Sequence, residues 1–220
     1  MERILLALVL LGWSSLAYAQ ADAERGRAIA MGGSGAPRSA CHTCHGPNGE
    51  GDGSGAFPRL TGQSAWYLYK QLKDYASGTR TNDVMSPIAK ALADQDAQDV
   101  AAFYAAQTAA VPGGAREADA QLLQRGGAIA AQGLREKGVE ACVNCHGAAG
   151  EGMPPSSPAL AGQFAPYTEL QFRFWKEGLR RNSPLGVMEH IARQLTDDEV
   201  RALAVYYAAL PLPNRQATSR

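Results

Sequence analysis

Long apolar stretches are scarce in this 220-residue chain, and aromatic side chains make up only 7% of it. Beyond the N-terminus nothing approaches the ~20 apolar residues of a membrane-crossing helix, so no further spanning segment is expected. The one apolar run, Ile4 to Leu11, is too short as well. It follows Arg3 and precedes Ala17-Tyr18-Ala19, a small-residue pattern that suits signal-peptidase cleavage. Residues 1–19 are therefore expected to be a leader removed after Ala19, the alternative being a retained anchor that the run's length disfavours. Such a chain works in an oxidising compartment, here the periplasm, with peripheral membrane association at most. Excess charge of one sign is also missing, since 21 basic and 21 acidic side chains cancel. That balance excludes the basic face on which nucleic-acid binding depends. Strand-like alternation is absent over any useful length, which leaves helices.

What is present is a repetition. Arg25-Gly26-Arg27-Ala28-Ile29-Ala30 returns as Arg125-Gly126-Gly127-Ala128-Ile129-Ala130, and Cys41-His42-Thr43-Cys44-His45-Gly46 returns as Cys142-Val143-Asn144-Cys145-His146-Gly147. Pro58-Arg59-Leu60-Thr61-Gly62-Gln63 matches Pro158-Ala159-Leu160-Ala161-Gly162-Gln163, and Met85 with Ile88-Ala89 and Leu92 matches Met188 with Ile191-Ala192 and Leu195. The offsets of 100, 101, 100 and 103 residues describe a duplication with small loop insertions. Val111-Pro112-Gly113-Gly114 favours an irregular connector. Domain one is placed at 22–110, a linker at 111–118, domain two at 119–212 and a tail at 213–220. Helices are expected over Ala97 to Ala110 and Asp198 to Leu210, both alanine-rich, with Asp197-Asp198 suited to a start and Pro211 to a stop. Each half is small and glycine-rich around its cysteines, so its core should be thin without something bulky inside.

Cys-x-x-Cys-His names that bulky group. On a helix, residues three and four apart share a face. Cys41 and Cys44 can thus reach two vinyl groups of one porphyrin while His45 turns to its iron, and Cys142, Cys145 and His146 can do the same. The motif is a c-type haem attachment signal. Two copies therefore imply two covalent haem c groups. Structural disulfides, a thioredoxin-like dithiol and a zinc site are the alternatives. The second needs a βαβ setting, and the third leaves the histidine after each pair unexplained.

A sixth ligand must come from elsewhere in the chain. Met85 and Met188 are the only methionines that correspond under the repeat; Met31 and Met153 have no counterpart and read as packing. Methionine opposite histidine favours ferrous iron and closes it to small molecules, which suits a carrier and not an enzyme. His42, between two cysteines, points away from iron, whereas His190, two residues from Met188, is an alternative ligand for the second iron, though the repeat assigns Met188.

The two Cys-x-x-Cys-His motifs, the two Pro-x-Leu-x-Gly-Gln segments, Gly78-Thr79-Arg80-Thr81-Asn82 with Gly178-Leu179-Arg180-Arg181-Asn182, and the Met-x-x-Ile-Ala-x-x-Leu runs resemble the dihaem cytochrome c4 family over nearly the whole mature chain. The resemblance implies an all-α protein of two tandem class I cytochrome c domains, His/Met ligation at both irons and periplasmic electron transfer. The expected partners are an upstream respiratory donor and a membrane-bound terminal oxidase. It also implies that Gly26 and Gly126 sit where the first and last helices of each domain cross, with Tyr104 and Tyr207 opposite them. The carbonyls of Pro58 and Pro158 should accept the Nδ1 protons of His45 and His146. Arg59, Arg80 and Arg180 are candidates for pairing with haem propionates, or else are solvated surface charges. Trp66 and Trp175 are read as packing. Two other functions stay open: the cytochrome subunit of a flavin- or quinone-linked dehydrogenase, and a dihaem redox enzyme.

Overall fold

The computed structural model describes residues 21–33, 39–108 and 119–212. The expected leader, linker and tail lie outside them. Ten α-helices occur among these residues: in the first half α1 (Ala23–Ala30), α2 (His42–His45), α3 (Ala65–Ser77), α4 (Met85–Ala91) and α5 (Asp94–Ala106); in the second α6 (Ala120–Gln132), α7 (Val143–His146), α8 (Ala165–Lys176), α9 (Val187–Gln194) and α10 (Asp197–Ala209). The only extended pairing there is isolated bridges, so the fold is all-α, two class I cytochrome c units in tandem. The helix expected from Ala97 begins three residues earlier, at Asp94, and that expected from Asp198 begins at Asp197.

Polar side chains fix the starts. Asp22 caps α1 by accepting from the Glu24 and Arg25 amides, Ser64 caps α3, and Thr196 forms a reciprocal capping box with Glu199 at α10. In each half the first and last helices cross at a glycine. A Cβ on Gly26 would lie 2.0 Å from the Asp99 carbonyl oxygen, and one on Gly126 2.1 Å from that of Ala202. This corrects the expectation for the tyrosines. The nearest atom to each crossing glycine is a helix carbonyl oxygen, the tyrosine beside Gly126 is Tyr206, and Tyr104 and Tyr207 pack on Gly49 and Gly150 instead. Residues 99 and 202 are spaced so that the glycines meet main chain; the tyrosines, further along, reach the loop after each histidine.

Around each crossing lies a small core, Ile29, Ala30, Val100, Ala101 and Tyr104 in one half and Ile129, Ala130, Val200, Leu203 and Tyr207 in the other. Arg25 bonds both Asp96 and Asp99 across the first crossing; at the second, Glu199 faces Arg125 of α6 at 3.9 Å and accepts from Lys137, beyond the end of α6, at 2.7 Å.

The halves meet along a seam with approximate two-fold symmetry. Gln63 donates to the Ala159 carbonyl at 2.8 Å and accepts from its amide at 3.1 Å, while Gln163 does the same to Arg59 at 2.9 and 3.1 Å. Farther along, Arg80 and Arg180 form an antiparallel bridge, flanked by Thr81 N–H to Leu179 and Arg181 N–H to Thr79.

Candidate functional site

A cavity of about 1130 Å³ opens on this seam and is lined from both halves. It exceeds the roughly 300–1,000 Å³ of an ordinary small-molecule pocket. All four cysteines line it, with His45, His146, Met85 and Met188; Met31 and Met153 do not. Met31 packs on the first core and Met153 is 49% exposed.

The one-turn helices α2 and α7 place Cys-x-x-Cys-His on the cavity wall. Each ends on a glycine, Gly46 (φ 80°) or Gly147 (φ 83°), where the chain turns left-handed and a Cβ would strike Glu50 or Glu151. The reversal brings the next loop back beneath the histidine. His45 Nδ1 lies 3.0 Å from the Pro58 oxygen and His146 Nδ1 2.9 Å from that of Pro158, the contacts expected. A carbonyl only accepts, so Nδ1 carries the proton and Nε2 keeps its lone pair. Burial lowers the pKa of both imidazoles and holds them neutral, the form that binds metal.

Burial acts oppositely on the thiols, pushing Cys41 and Cys142 up to about 11. A dithiol oxidoreductase needs a depressed pKa, so these are poor exchange thiols. None of the four is in a disulfide. No group of His, Cys, Asp and Glu suited to a bare metal ion occurs among the described residues, which removes the zinc reading.

Met85 and Met188 enter at the first turns of α4 and α9. The Met85 amide donates to Asn82 Oδ1 at 2.8 Å, and the Met188 amide to Ser183 Oγ at 3.0 Å. The Glu189-His190 departure divides into two parts. Glu189 is buried and accepts from Ser183, just as Ser86 accepts from Asn82 N–H at 3.1 Å in the first half. His190 is exposed at the cavity mouth.

The three arginines are buried, which overturns their reading as solvated charges. Arg80 donates to Tyr167 and to both Gln71 and Gln171; Arg180 donates to Tyr67 and to the same two glutamines. Arg59 donates to the Gly162 carbonyl at 3.0 Å and lies over Phe164. No carboxylate among the described residues pairs with any of them. Among the described residues the buried Arg59 Nη1, Arg80 Nε and Trp175 Nε1 lack a hydrogen-bond partner, and all three residues line the cavity. Trp175 meets Phe172 edge to face, ring centres 5.6 Å apart, in keeping with packing, but Trp66 is 46% exposed. Such unanswered donors around an apolar hollow fit a haem with its anionic propionates.

The glutamine and tyrosine seam was not anticipated. Its signal was available in the repeat, where Tyr67 and Gln71 return as Tyr167 and Gln171.

An all-α pair of units, each presenting Cys-x-x-Cys-His to a cavity, defines a c-type cytochrome that carries two covalently bound haem c groups and transfers electrons. The family model described as cytochrome c matches residues 23–106, and that described as cytochrome c oxidase, cbb3-type, subunit III matches residues 130–206. A thiosulfate dehydrogenase electron acceptor from Stutzerimonas stutzeri is 44% identical over 86% of this chain and 88% of its own length. The crystal structure of reduced cytochrome c4 from Pseudomonas stutzeri superposes with a TM-score of 0.76 at 31% identity, over 87% of this chain and all of that one. A thiosulfate dehydrogenase from Marichromatium purpuratum also gives 0.76, at 37% identity, over 90% of this chain but 42% of the longer neighbour. The chain belongs to the dihaem cytochrome c4 family. No helix among the described residues is long and apolar enough to cross a membrane.

Proposed function

We propose that this chain is the periplasmic electron acceptor of a thiosulfate-oxidising dehydrogenase and relays electrons toward a membrane-bound terminal oxidase, without turning over a substrate itself. The donor is suggested by the 44% identical relative. The observation that carries the carrier role is that one cavity collects a histidine and a methionine from each half, while the unpaired methionines stay off it. In this reading His45 with Met85, and His146 with Met188, hold the two irons, and residues 22–110 and 119–212 are the two haem-binding domains. Haem supplies a one-electron ferric/ferrous couple. The protein's own residues do the rest: the cysteines anchor, Pro58 and Pro158 fix the histidine rings, and the buried arginines neutralise propionate charge.

The test mixes oxidised mature holoprotein with thiosulfate, with and without the thiosulfate dehydrogenase of Stutzerimonas stutzeri. Haem reduction is expected only with the dehydrogenase, and carbon monoxide should bind neither reduced iron. Reduction by thiosulfate alone, or ready carbon monoxide binding, overturns the carrier reading in favour of a dihaem enzyme.

A further inference from the structure

The methionine-bearing loops are where the two halves diverge most. Asn82-Asp83-Val84 leads into Met85, whereas Asn182-Ser183-Pro184-Leu185-Gly186-Val187 leads into Met188, three residues longer. The insertion adds nothing to the core. Ser183 and Glu189 tie its base, and from that base Leu185 projects with φ 56° and a side chain 101% exposed. Leucine is disfavoured in left-handed backbone, where glycine would be easy, and an aliphatic group in water gains nothing locally. Val187, 45% exposed, follows it. Leu185, Gly186 and Val187 together rim the cavity mouth beside Met188.

Cations predominate on the loop and on the outer face of α9. From Gly178 to Thr196 the only carboxylate is Glu189, which is buried and engaged by Ser183, while Arg181 and Arg193 are exposed; carboxylates return on either side, at Glu177 and at Asp197 and Asp198, and Asp74 accepts from Asn182 at the loop base. Ala192 and Glu189 face inward on α9, so Val187, His190 and Arg193 lie toward solvent. The first half is built otherwise. Exposed Asp83 directly precedes Val84, Lys90 balances it, and no projecting leucine is present.

We propose that the loop Ser183–Val187 with the outer face of α9 is the docking surface for a redox protein whose contact face is apolar at its centre and rich in carboxylates at its rim. Resting on the thiosulfate reading above, that protein is the dehydrogenase donor, and it approaches through the second half. An apolar centre within a charged rim is the usual plan of a transient interface, in which the rim steers and the centre holds.

The test measures binding of oxidised mature holoprotein to the Stutzerimonas stutzeri thiosulfate dehydrogenase by titration calorimetry at low and moderate salt. Leu185→Gly, which removes the side chain and relaxes the backbone, is expected to weaken binding roughly tenfold or more. Arg181→Glu with Arg193→Glu should weaken it similarly and remove or reverse its salt dependence. Val84→Ser, the first-half control, should stay within about twofold. Visible and near-infrared spectra of every variant should match the parent. Parent binding that ignores both the Leu185 and the arginine changes rejects the docking surface and leaves the thiosulfate reading standing. Absence of any binding or reduction with the parent rejects the thiosulfate reading and the inference with it. A spectral change in Leu185→Gly would show the leucine serving the iron's methionine, and parent self-association or adsorption to anionic vesicles that Leu185→Gly abolishes would assign the knob to another occupant; either overturns the proposal.

Discussion

Arg80 and Arg180 pair backbone to backbone across the seam, and each buries its guanidinium against the other half's tyrosine, Arg80 on Tyr167 at 2.8 Å and Arg180 on Tyr67 at 3.0 Å. Gln71 and Gln171 accept from both arginines at once. Two cations thus share one buried polar knot whose direct acceptors are neutral; Asp74 joins it only through Asn182 and is itself paired with Lys70. The propionates expected in the cavity would supply the anion that offsets them.

Removing one of these charges should therefore act on redox equilibrium. Arg80→Gln or Arg180→Gln is expected to lower at least one haem potential, because a nearby positive charge disfavours the ferric state. The size should be on the order of 1 kcal/mol, about 40 mV for one electron. Spectroelectrochemical titration checks it. A conservative Arg180→Lys should recover much of the shift.

The sixth ligand can be read by spectroscopy. Met188→Ala is expected to abolish the methionine-to-iron charge-transfer band of one haem, lower its potential and admit carbon monoxide. Met153→Ala, at an exposed residue off the cavity, should leave all three unchanged. The opposite pattern would show that the repeat misassigns the ligand.

Covalent attachment gives a mass prediction. Holoprotein processed after Ala19 should carry two haem additions that survive acid extraction. Replacing Cys41 and Cys44 by Ala should remove one of them and spare the haem of the second half.

The helix crossings make a sharper stability test. Gly126→Ala forces a Cβ to within 2.1 Å of the Ala202 carbonyl oxygen, so the helices must separate, at a cost of about 3 kcal/mol or less if α10 yields. Gly127→Ala is the control. Its Cβ would meet only the Tyr206 ring, at 3.1 Å, and alanine's helix preference of up to about 1 kcal/mol offsets that contact. Thermal unfolding followed by circular dichroism separates the two.

Acid should weaken the first crossing through Asp99. Burial alone would raise this carboxyl's pKa, but donation from Asp22 N–H, Gln95 and Arg25 outweighs it and holds the group below its ordinary value. A depressed pKa contributes stability above about pH 4, lost as pH falls through the native value. Asp99→Asn should therefore lower the unfolding temperature at pH 7, and the difference from the parent should shrink below pH 4.

Much of this was legible in the sequence because duplication writes every chemical requirement twice. The paired Cys-x-x-Cys-His motifs point to the haem anchors, and the repeat sets Met85 and Met188 apart from Met31 and Met153, a division that the cavity lining follows. Helix limits came within a few residues, since Thr196 and the aspartates that follow it are strong starts. The seam's residues were visible in the repeat but their role was not, because Gln63 and Gln163 bond main-chain groups about 100 residues away and nothing in the repeat says which group each one reaches. Leu185 was invisible for a different reason, because nothing in an inserted Pro-Leu-Gly says that its leucine points outward.

The glutamine grip has a consequence for how the two copies could diverge. Gln63 holds the peptide group of Ala159, and Gln163 that of Arg59. A peptide group is the same whatever side chain it carries. The held positions were thus free to drift after duplication: one is now an arginine lying over Phe164, the other a bare methyl. The holding positions had no such freedom, and both are still glutamine. A joint made this way lets each copy change its own surroundings without ceasing to fit its twin.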